Sequence, residues 1–312
     1  MKVLVIDRFP DSFLKQLSQL PVTVSYHPET PPPEILPLLV DVHVLMMNSK
    51  IQVNASTLKQ ANSLELILRA GVGMDHFDME YLERRGITVK NTAGANADAV
   101  GEQTIGMLLA LYQNLRRADQ EVRQFIWQRE ANRGWEIGWK TVGIIGYGHT
   151  GSAVARKLAG FGCQVLAYDK YKSGFGAGYV KESTLEVIFE EADILTLHVP
   201  LTPETRNWID AAFISSFKKP ITLLNLARGP IVVLADLLKA LDEKKVLAAA
   251  LDVLPNEKMA TLTEEEQKLY TDLFHRDNVL LTPHIGGWTV ESRENINGQI
   301  LQEIRKWIQH SA

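Results

Sequence analysis

The sequence predicts an α/β protein of two doubly wound parallel sheets, the second inserted within the first. Three features predict it. Short apolar runs alternate with amphipathic stretches along most of the 312 residues, the pattern of parallel strands covered by helices. A glycine-rich turn, Gly146 to Gly151, joins one apolar run to a helical pattern near the middle of the chain. The last stretch, from Thr289 to Trp307, is helical again, with Ile296, Ile300, Ile304 and Trp307 on one side. That side suits a return to the first domain, tying the two together.

The first domain is read in order. Val3–Ile6 is a strand. The stretch from Asp11 to Leu20 is helical, with Phe13, Leu14, Leu17 and Leu20 on one face. Val22–Tyr26 is a second strand. Pro31-Pro32-Pro33 makes a rigid turn that can start a short helix, since proline is tolerated in a first turn. Val42–Met46, Leu64–Arg69 and Ile87–Lys90 complete the strands. Two loops follow strand ends, where open α/β sheets bind ligands: Asn48-Ser49-Lys50 and Gly71-Val72-Gly73-Met74-Asp75. Consecutive N–H groups in a Gly-x-Gly turn can cradle a carboxylate. A turn that needs glycine only for its backbone angles is the plainer reading. Lys50 suits a substrate anion and equally suits solvent.

The crossing to the second domain is placed at Ala97–Asp98, with Asp98 as a candidate cap for a long helix running toward Arg116–Ala118. The segment from Gln124 to Lys140 carries Trp127, Trp135 and Trp139. Three tryptophans in irregular sequence call for a surface to pack on, either a second subunit or the nucleotide domain itself.

The stretch Thr141–Asp169 organises the rest. Val142–Ile145 is apolar, as a strand buried on both faces requires. Gly146, Gly148 and Gly151 follow in the spacing G-x-G-x-x-G. The first glycine permits the tight strand-to-helix turn, the second lets a pyrophosphate approach the backbone, and the third lets helix and strand pack closely. The helix start at His149–Thr150 offers N–H groups and a positive dipole end to the phosphates. A second strand, Gln164–Tyr168, ends at Asp169, 18 residues beyond the third glycine. A carboxylate there can accept hydrogen bonds from both ribose hydroxyls of adenosine and repels the extra phosphate of NADP. Strand, glycines, helix, strand and acid in register predict a Rossmann domain that binds NAD. The competing reading is a glycine turn of another α/β protein, including one that binds S-adenosylmethionine.

Asp193–His198, Ile221–Asn225, Val246–Leu251 and Val279–Leu281 continue this sheet, with a helix at Leu234–Leu241. The expected division is therefore residues 1–97 plus 285–312 for a substrate-binding domain and 98–284 for the NAD-binding domain.

Composition limits the function classes. The chain is 46% hydrophobic and 22% charged, with a net charge of -4. That balance argues against nucleic acid and against an anionic membrane surface as partners. One cysteine, Cys163, forbids an internal disulfide and fits a reducing cytoplasm. The apolar run after Met1 is too short for a secretory signal, and no run approaches a membrane span. No metal is expected.

Three polar groups follow strands on one edge of the predicted nucleotide sheet: Arg228, Glu257 and His284. All three can point into an interdomain cleft beside the cofactor. Reduction of a 2-keto acid needs such groups. An arginine fork binds the carboxylate and polarises the carbonyl. A histidine protonates the oxygen as hydride reaches carbon. A carboxylate beside the histidine fixes its tautomer and supports the acid form. Taken singly, each has an ordinary reading: a surface ion pair, a solvated loop acid, a histidine bonded in a turn.

Seven motifs then align in order: GVGMDHFD at Gly71–Asp78, NTAGANADAVGEQT at Asn91–Thr104, the glycine loop with Asp169, LHVPLTPETRNWID at Leu197–Asp210, NLARGPIV at Asn225–Val232, LDVLPNE at Leu251–Glu257 and TPHIGG at Thr282–Gly287. With them the chain resembles the D-2-hydroxyacid dehydrogenase family over nearly its whole length, as in phosphoglycerate dehydrogenases and glyoxylate/hydroxypyruvate reductases. The resemblance implies that Arg228 binds substrate, His284 is the acid/base and Glu257 supports it. It implies that Val72 and Gly73 hold the substrate carboxylate through backbone N–H groups. His149 and Thr150 fall in the pyrophosphate loop and Asp169 at the ribose. Val199, Leu226 and Ala227 line the cofactor, and Asp252 bonds the nicotinamide carboxamide. It further implies a homodimer joined through the NAD-binding domains.

The chain departs from the family pattern in places. Trp139 stands where a glycine is common, in Glu136-Ile137-Gly138-Trp139-Lys140, and Ala93 replaces a proline. Trp288 follows the histidine motif and suits either a flat, apolar substrate or helix packing. The added C-terminal regulatory domain of some phosphoglycerate dehydrogenases is not expected. Two related readings carry other functions. Corepressors of the same fold keep these motifs while acting as NAD-binding scaffolds. Formate dehydrogenases pair the histidine with glutamine, which Glu257 argues against.

Overall fold

Strand formation in both halves follows one rule: runs of Val, Leu and Ile too apolar for a half-exposed sheet become strands buried on both faces. The computed structural model describes residues 1–311 and divides into two compact units, Met1–Asn96 together with the chain from Val290, and Ala97–Thr289.

The first unit has five parallel strands, β1 (Lys2–Val5), β2 (Thr23–Tyr26), β3 (Val44–Met47), β4 (Leu66–Arg69) and β5 (Thr88–Asn91), in the order β2-β1-β3-β4-β5. This is the flavodoxin-like order. Its short helices are α1 (Asp11–Leu17), α2 (Pro32–Ile35) and α3 (Met79–Arg84). One face of the sheet is covered by Ile35, Leu39 and Leu82, the other by Phe13, Leu17 and the C-terminal helix through Ile296, Ile300 and Ile304. That helix belongs to this unit because its apolar side is buried here.

The second unit opens with α4 (Ala97–Tyr112) and α5 (Leu115–Arg123). The sheet and its crossovers follow: β6 (Thr141–Ile145), α6 (His149–Leu158), β7 (Gln164–Tyr168), β8 (Lys181–Glu182), α7 (Leu185–Glu191), β9 (Ile194–Leu197), α8 (Ala211–Ser215), β10 (Ile221–Asn225), α9 (Leu234–Asp242), β11 (Val246–Leu251), α10 (Glu264–Phe274) and β12 (Val279–Leu281), before the chain leaves as α11 (Val290–Ser311). The order is β12-β11-β10-β9-β6-β7-β8, parallel throughout. From β6 the chain moves outward on one side through β7 and on the other through β9. The gap between those two loops is the topological switch point, where such sheets bind ligands.

Three local details differ from the sequence reading. Helix α4 starts one residue before the expected crossing, and Asp98 lies in its first turn. Its carboxylate pairs with Arg156 at 2.9 Å and Lys157 at 3.2 Å on α6 instead of capping. Gly101 allows that approach, since a Cβ there would stand 2.9 Å from the Lys157 side chain. Residues 285–289, expected in the first domain, stay with the second unit. The Asp252 carboxylate holds them by accepting from the N–H groups of Ile285 at 2.9 Å and Gly286 at 2.8 Å. Strand β8 is two polar residues at the sheet edge and has no apolar signal. Helix α10 begins with a capping box over Thr263-Glu264-Glu265-Glu266: the Thr263 hydroxyl accepts from Glu266 N–H and the Glu266 carboxylate from Thr263 N–H.

Candidate active site

At the switch point, the Gly146 turn meets the chain leaving β9. Gly146 has φ +92°, and a Cβ there would lie 2.5 Å from the His198 carbonyl oxygen. Gly151 is closer still, its missing Cβ 1.9 Å from the Gly146 carbonyl oxygen. Gly148 is different: a Cβ there would meet nothing within 4 Å. Two glycines are therefore required by the protein itself, and the second one faces open space. Gly148 is also the N-cap of α6 and gives it no side-chain cap, so the first N–H groups of the helix remain for an anion. His149 and Thr150 sit at this helix start.

A cavity of about 410 Å³ opens beside these glycines, lined among others by Gly146, Gly148, Asp169, Val199 and Trp208. The open backbone at Gly148, the uncapped helix start and the acid at the end of β7 fit a dinucleotide. Asp169 is tightly held: Oδ2 accepts from Tyr147 N–H at 2.8 Å, and Oδ1 from Tyr171 N–H at 2.9 Å and Lys172 N–H at 3.1 Å. A carboxylate has about four acceptor positions, so roughly one remains open to a further donor, on Oδ2. This narrows the expectation that Asp169 accepts from both hydroxyls.

The other predicted residues gather at the ends of β10, β11 and β12. Asn225, almost fully buried at the end of β10, donates from Nδ2 to the Arg228 carbonyl at 2.9 Å and accepts from Ala227 N–H at 3.1 Å. It shapes the turn that presents Arg228. The next residue of that turn, Gly229, packs so closely on Leu254 that a Cβ would lie 2.0 Å from its carbonyl carbon. This sets the turn against the segment leading to Glu257. That segment is braced by Tyr270 of α10, whose hydroxyl accepts from Asn256 N–H at 2.8 Å.

His284 and Glu257 meet, Nδ1 to Oε2, at 2.8 Å, with both side chains partly open to solvent. His284 has φ 56°, the left-handed region that is costly for a residue with a Cβ. Its N–H donates to the Asp252 carbonyl at 2.7 Å. Asp252 is 2% exposed, and its side chain accepts from Thr282 Oγ1 at 2.5 Å besides Ile285 and Gly286 N–H. Its partners in the structure are those of an anchor for the histidine turn. Leu226 lies in the core beside Gly286, and Ala227 packs on the neighbouring cluster; neither lines the 410 Å³ cavity.

In the first unit, taken by itself, the Gly71 turn is fixed through its carbonyls. Gly71 O accepts from Thr92 N–H at 3.1 Å, Val72 O from Asn91 Nδ2 at 2.8 Å and Gly73 O from Arg69 Nε at 3.1 Å. Among the described residues, no partner is recorded for the N–H groups of Val72 and Gly73. Lys50 donates to the Pro28 and His27 carbonyls, so it is neither simply solvated nor committed to a ligand. Arg69, 9% exposed and bonded also to Asn48 Oδ1, was hidden in the sequence as the end of a strand. The signal was a charge closing an otherwise apolar run, Leu66–Arg69.

A dinucleotide cradle at the switch point, with an arginine and a histidine–carboxylate pair at the neighbouring strand ends, defines a nicotinamide-dependent oxidoreductase. The comparisons specify which kind. Residues 105–286, more than half of the chain, match the model of the D-isomer specific 2-hydroxyacid dehydrogenase NAD binding domain. The hydroxypyruvate reductase of Thermotoga maritima is 34% identical over 96% of this chain and 95% of its own. The D-lactate dehydrogenase of Aquifex aeolicus, solved with NAD and lactic acid, is 26% identical with a TM-score of 0.84, covering 99% of this chain and 96% of that one. The NADPH-dependent glyoxylate/hydroxypyruvate reductase of Sinorhizobium meliloti, solved with NADP and malonate, is 27% identical with a TM-score of 0.83 over 98% and 93%. The chain belongs to the D-isomer-specific 2-hydroxyacid dehydrogenase family. It is an NAD-dependent oxidoreductase of D-2-hydroxy acids and 2-keto acids. The scaffold reading finds no support among these relatives, which are named as enzymes.

Proposed function

We propose that this enzyme reduces a short 2-keto acid of the hydroxypyruvate or glyoxylate kind, with His284 as proton donor, Arg228 as substrate-binding cation and Glu257 as the group that orients His284. The observation that carries this reading is the 2.8 Å His284–Glu257 contact on a backbone held at φ 56°. A strained histidine aimed by a carboxylate is a side chain placed for chemistry rather than for packing. The similarity to a hydroxypyruvate reductase across almost the full chain supports the substrate class.

Bound NADH supplies the hydride. The Arg228 guanidinium takes the substrate carboxylate and draws charge from the C2 carbonyl. With Nδ1 bonded to Glu257, His284 delivers its proton from Nε2 to the oxygen as C2 receives the hydride, so the C=O becomes CH–OH. In oxidation, neutral His284 takes the hydroxyl proton back. Asp252 keeps the histidine turn in place, and its remaining acceptor position suits the carboxamide. The Gly71–Gly73 turn of the first unit offers the Val72 and Gly73 N–H groups to a carboxylate. His149, Thr150, Val199, Leu226 and Ala227 complete the cofactor contacts in this reading.

We further infer a homodimer through the second unit. Phe125 is 99%, Trp139 85% and Trp127 78% exposed, and Leu115 and Val122 of α5 are exposed as well. Large aromatic surface of this kind is typical of interface cores. A monomeric mass by light scattering at micromolar concentration would refute it. No helix among the described residues is long and apolar enough to cross a membrane; a cytoplasmic place of action is proposed from the single cysteine.

The test is NADH consumption against a panel of 2-keto acids, with Arg228→Ala alongside. Turnover on a short keto acid, reduced by about 10²-fold or more in the variant, is the expected result. Tight NADH binding without turnover on any 2-keto acid would overturn the substrate reading.

A further inference from the structure

The nucleotide cavity is lined by a second acid. Glu204 lies in the turn after β9, far in sequence from Asp169, yet both line the same 410 Å³ cavity. Glu204 Oε2 accepts from Lys170 Nζ at 2.6 Å and from the Tyr171 hydroxyl at 2.8 Å. Lys170 Nζ also stands 5.4 Å from the Tyr171 ring centroid. Lys170 and Tyr171 directly follow the ribose acid, so this bridge spans the rim from the end of β7 to the loop after β9.

Its chemistry bears on cofactor choice. A 2′-phosphate carries nearly two negative charges and three acceptor oxygens, and a lysine beside it is a ready partner. Asp169 is followed by two lysines, Lys170 and Lys172. Lys172 is engaged elsewhere, its Nζ donating to the Tyr147 carbonyl at 3.3 Å. Lys170 is the lysine next to the ribose acid, and Glu204 occupies it. Asp169 itself has its charge partly met by three backbone N–H donors.

We propose that the Glu204–Lys170 bridge is a second cofactor-selecting element, keeping Lys170 from a 2′-phosphate and so adding to the preference for NAD over NADP. This rests on Asp169 as the ribose acid. The Lys170 and Glu204 side chains are 55% and 56% exposed, and an exposed pair contributes little to folding. The bridge can therefore be broken without unfolding the protein.

The experiment titrates NADH and NADPH by fluorescence into wild type, Glu204→Gln, Lys170→Met, the double variant and Asp169→Ser, with thermal unfolding of each. Glu204→Gln is expected to tighten NADPH relative to NADH by about tenfold. In the double variant that gain is expected to vanish, because it depends on the released lysine. Equal changes for the two cofactors, no change, or a gain that survives in the double variant would each overturn the proposal. Asp169→Ser separates the two layers. If Asp169→Ser relaxes the preference and Glu204→Gln does not, only the bridge is refuted. If Asp169→Ser leaves both affinities unchanged, the ribose reading itself fails.

Discussion

The seven-stranded sheet carries a histidine just beyond each of two strands, and the two are built in opposite ways. His198 follows β9 at the switch point. Its Nε2 bonds the Thr196 hydroxyl at 2.9 Å, and its Nδ1 is buried without a protein partner. Burial pushes its pKa down to about 3. His284 follows β12, stands open to solvent, sits on strained backbone and faces Glu257. One histidine is kept neutral as part of a wall. The other stands open to solvent beside a carboxylate. Residue type and strand-end position are the same for both; the partner and the burial decide the role. The same contrast runs through the surroundings. The switch point is shaped by glycine backbone, and the histidine edge by the side chains of Asn225, Asp252 and Tyr270.

The sharpest way to break this comparison is to remove the exposed histidine. His284→Ala should lower keto-acid turnover by about 10²–10⁴-fold, the usual worth of a positioned general acid. NADH affinity should stay near wild type, because the cradle at Gly146–Gly151 is formed by other strands. Stopped-flow turnover with a parallel NADH titration checks this. A variant that turns over like wild type would remove His284 from the chemistry.

Next in size is the difference between two glycines three residues apart. Gly151→Ala places a Cβ 1.9 Å from the Gly146 carbonyl oxygen. Overpacking against backbone should destabilise the protein by about 1–3 kcal/mol or more. Gly148→Ala meets no protein atom within 4 Å, and its φ of -81° suits alanine. It should leave stability within about 0.5 kcal/mol, as for an unobstructed site, while weakening NADH binding at least tenfold, because the new methyl occupies the space left for the pyrophosphate. Urea unfolding and NADH titration on both variants give the pattern. If Gly148→Ala binds NADH normally, the open space beside it is not the phosphate site.

These contrasts mark what could be read from the sequence. The buried strands were legible because Val, Leu and Ile runs such as Val142–Ile145 have no other stable placement. The glycine loop was legible because spacing and chemistry coincide. Edge strand β8 was not, since Lys181–Glu182 makes its pairing through backbone alone. Nor were the polar braces. Asn225 and Asp252 end apolar strands just as ligand-binding residues do, and only the fold shows them turned toward neighbouring loops. Glu204 and Lys170 are unremarkable in sequence because the loops after β7 and β9 meet only at the switch point. Polar residues at strand ends can therefore be located from sequence, but which of them face a ligand is settled by tertiary contacts.

The remaining prediction comes from the half-buried histidine. Unfolded, His198 binds a proton below its ordinary value of about 6.5. Folded, it stays neutral down to about pH 3. Between those limits the unfolded state holds the extra proton, so acid favours unfolding. The stabilisation is complete above about pH 6.5 and is lost as pH falls toward 3, with a slope of at most about 1.4 kcal/mol per pH unit from this residue. His198→Gln keeps a partner for the Thr196 hydroxyl and cannot titrate. Its stability should therefore fall less steeply than wild type between pH 6 and 4, with no difference in slope above pH 7. Urea unfolding across that range measures the difference. Parallel curves would mean that His198 becomes protonated in the folded protein, and the contrast between the two histidines would then be one of position and not of charge.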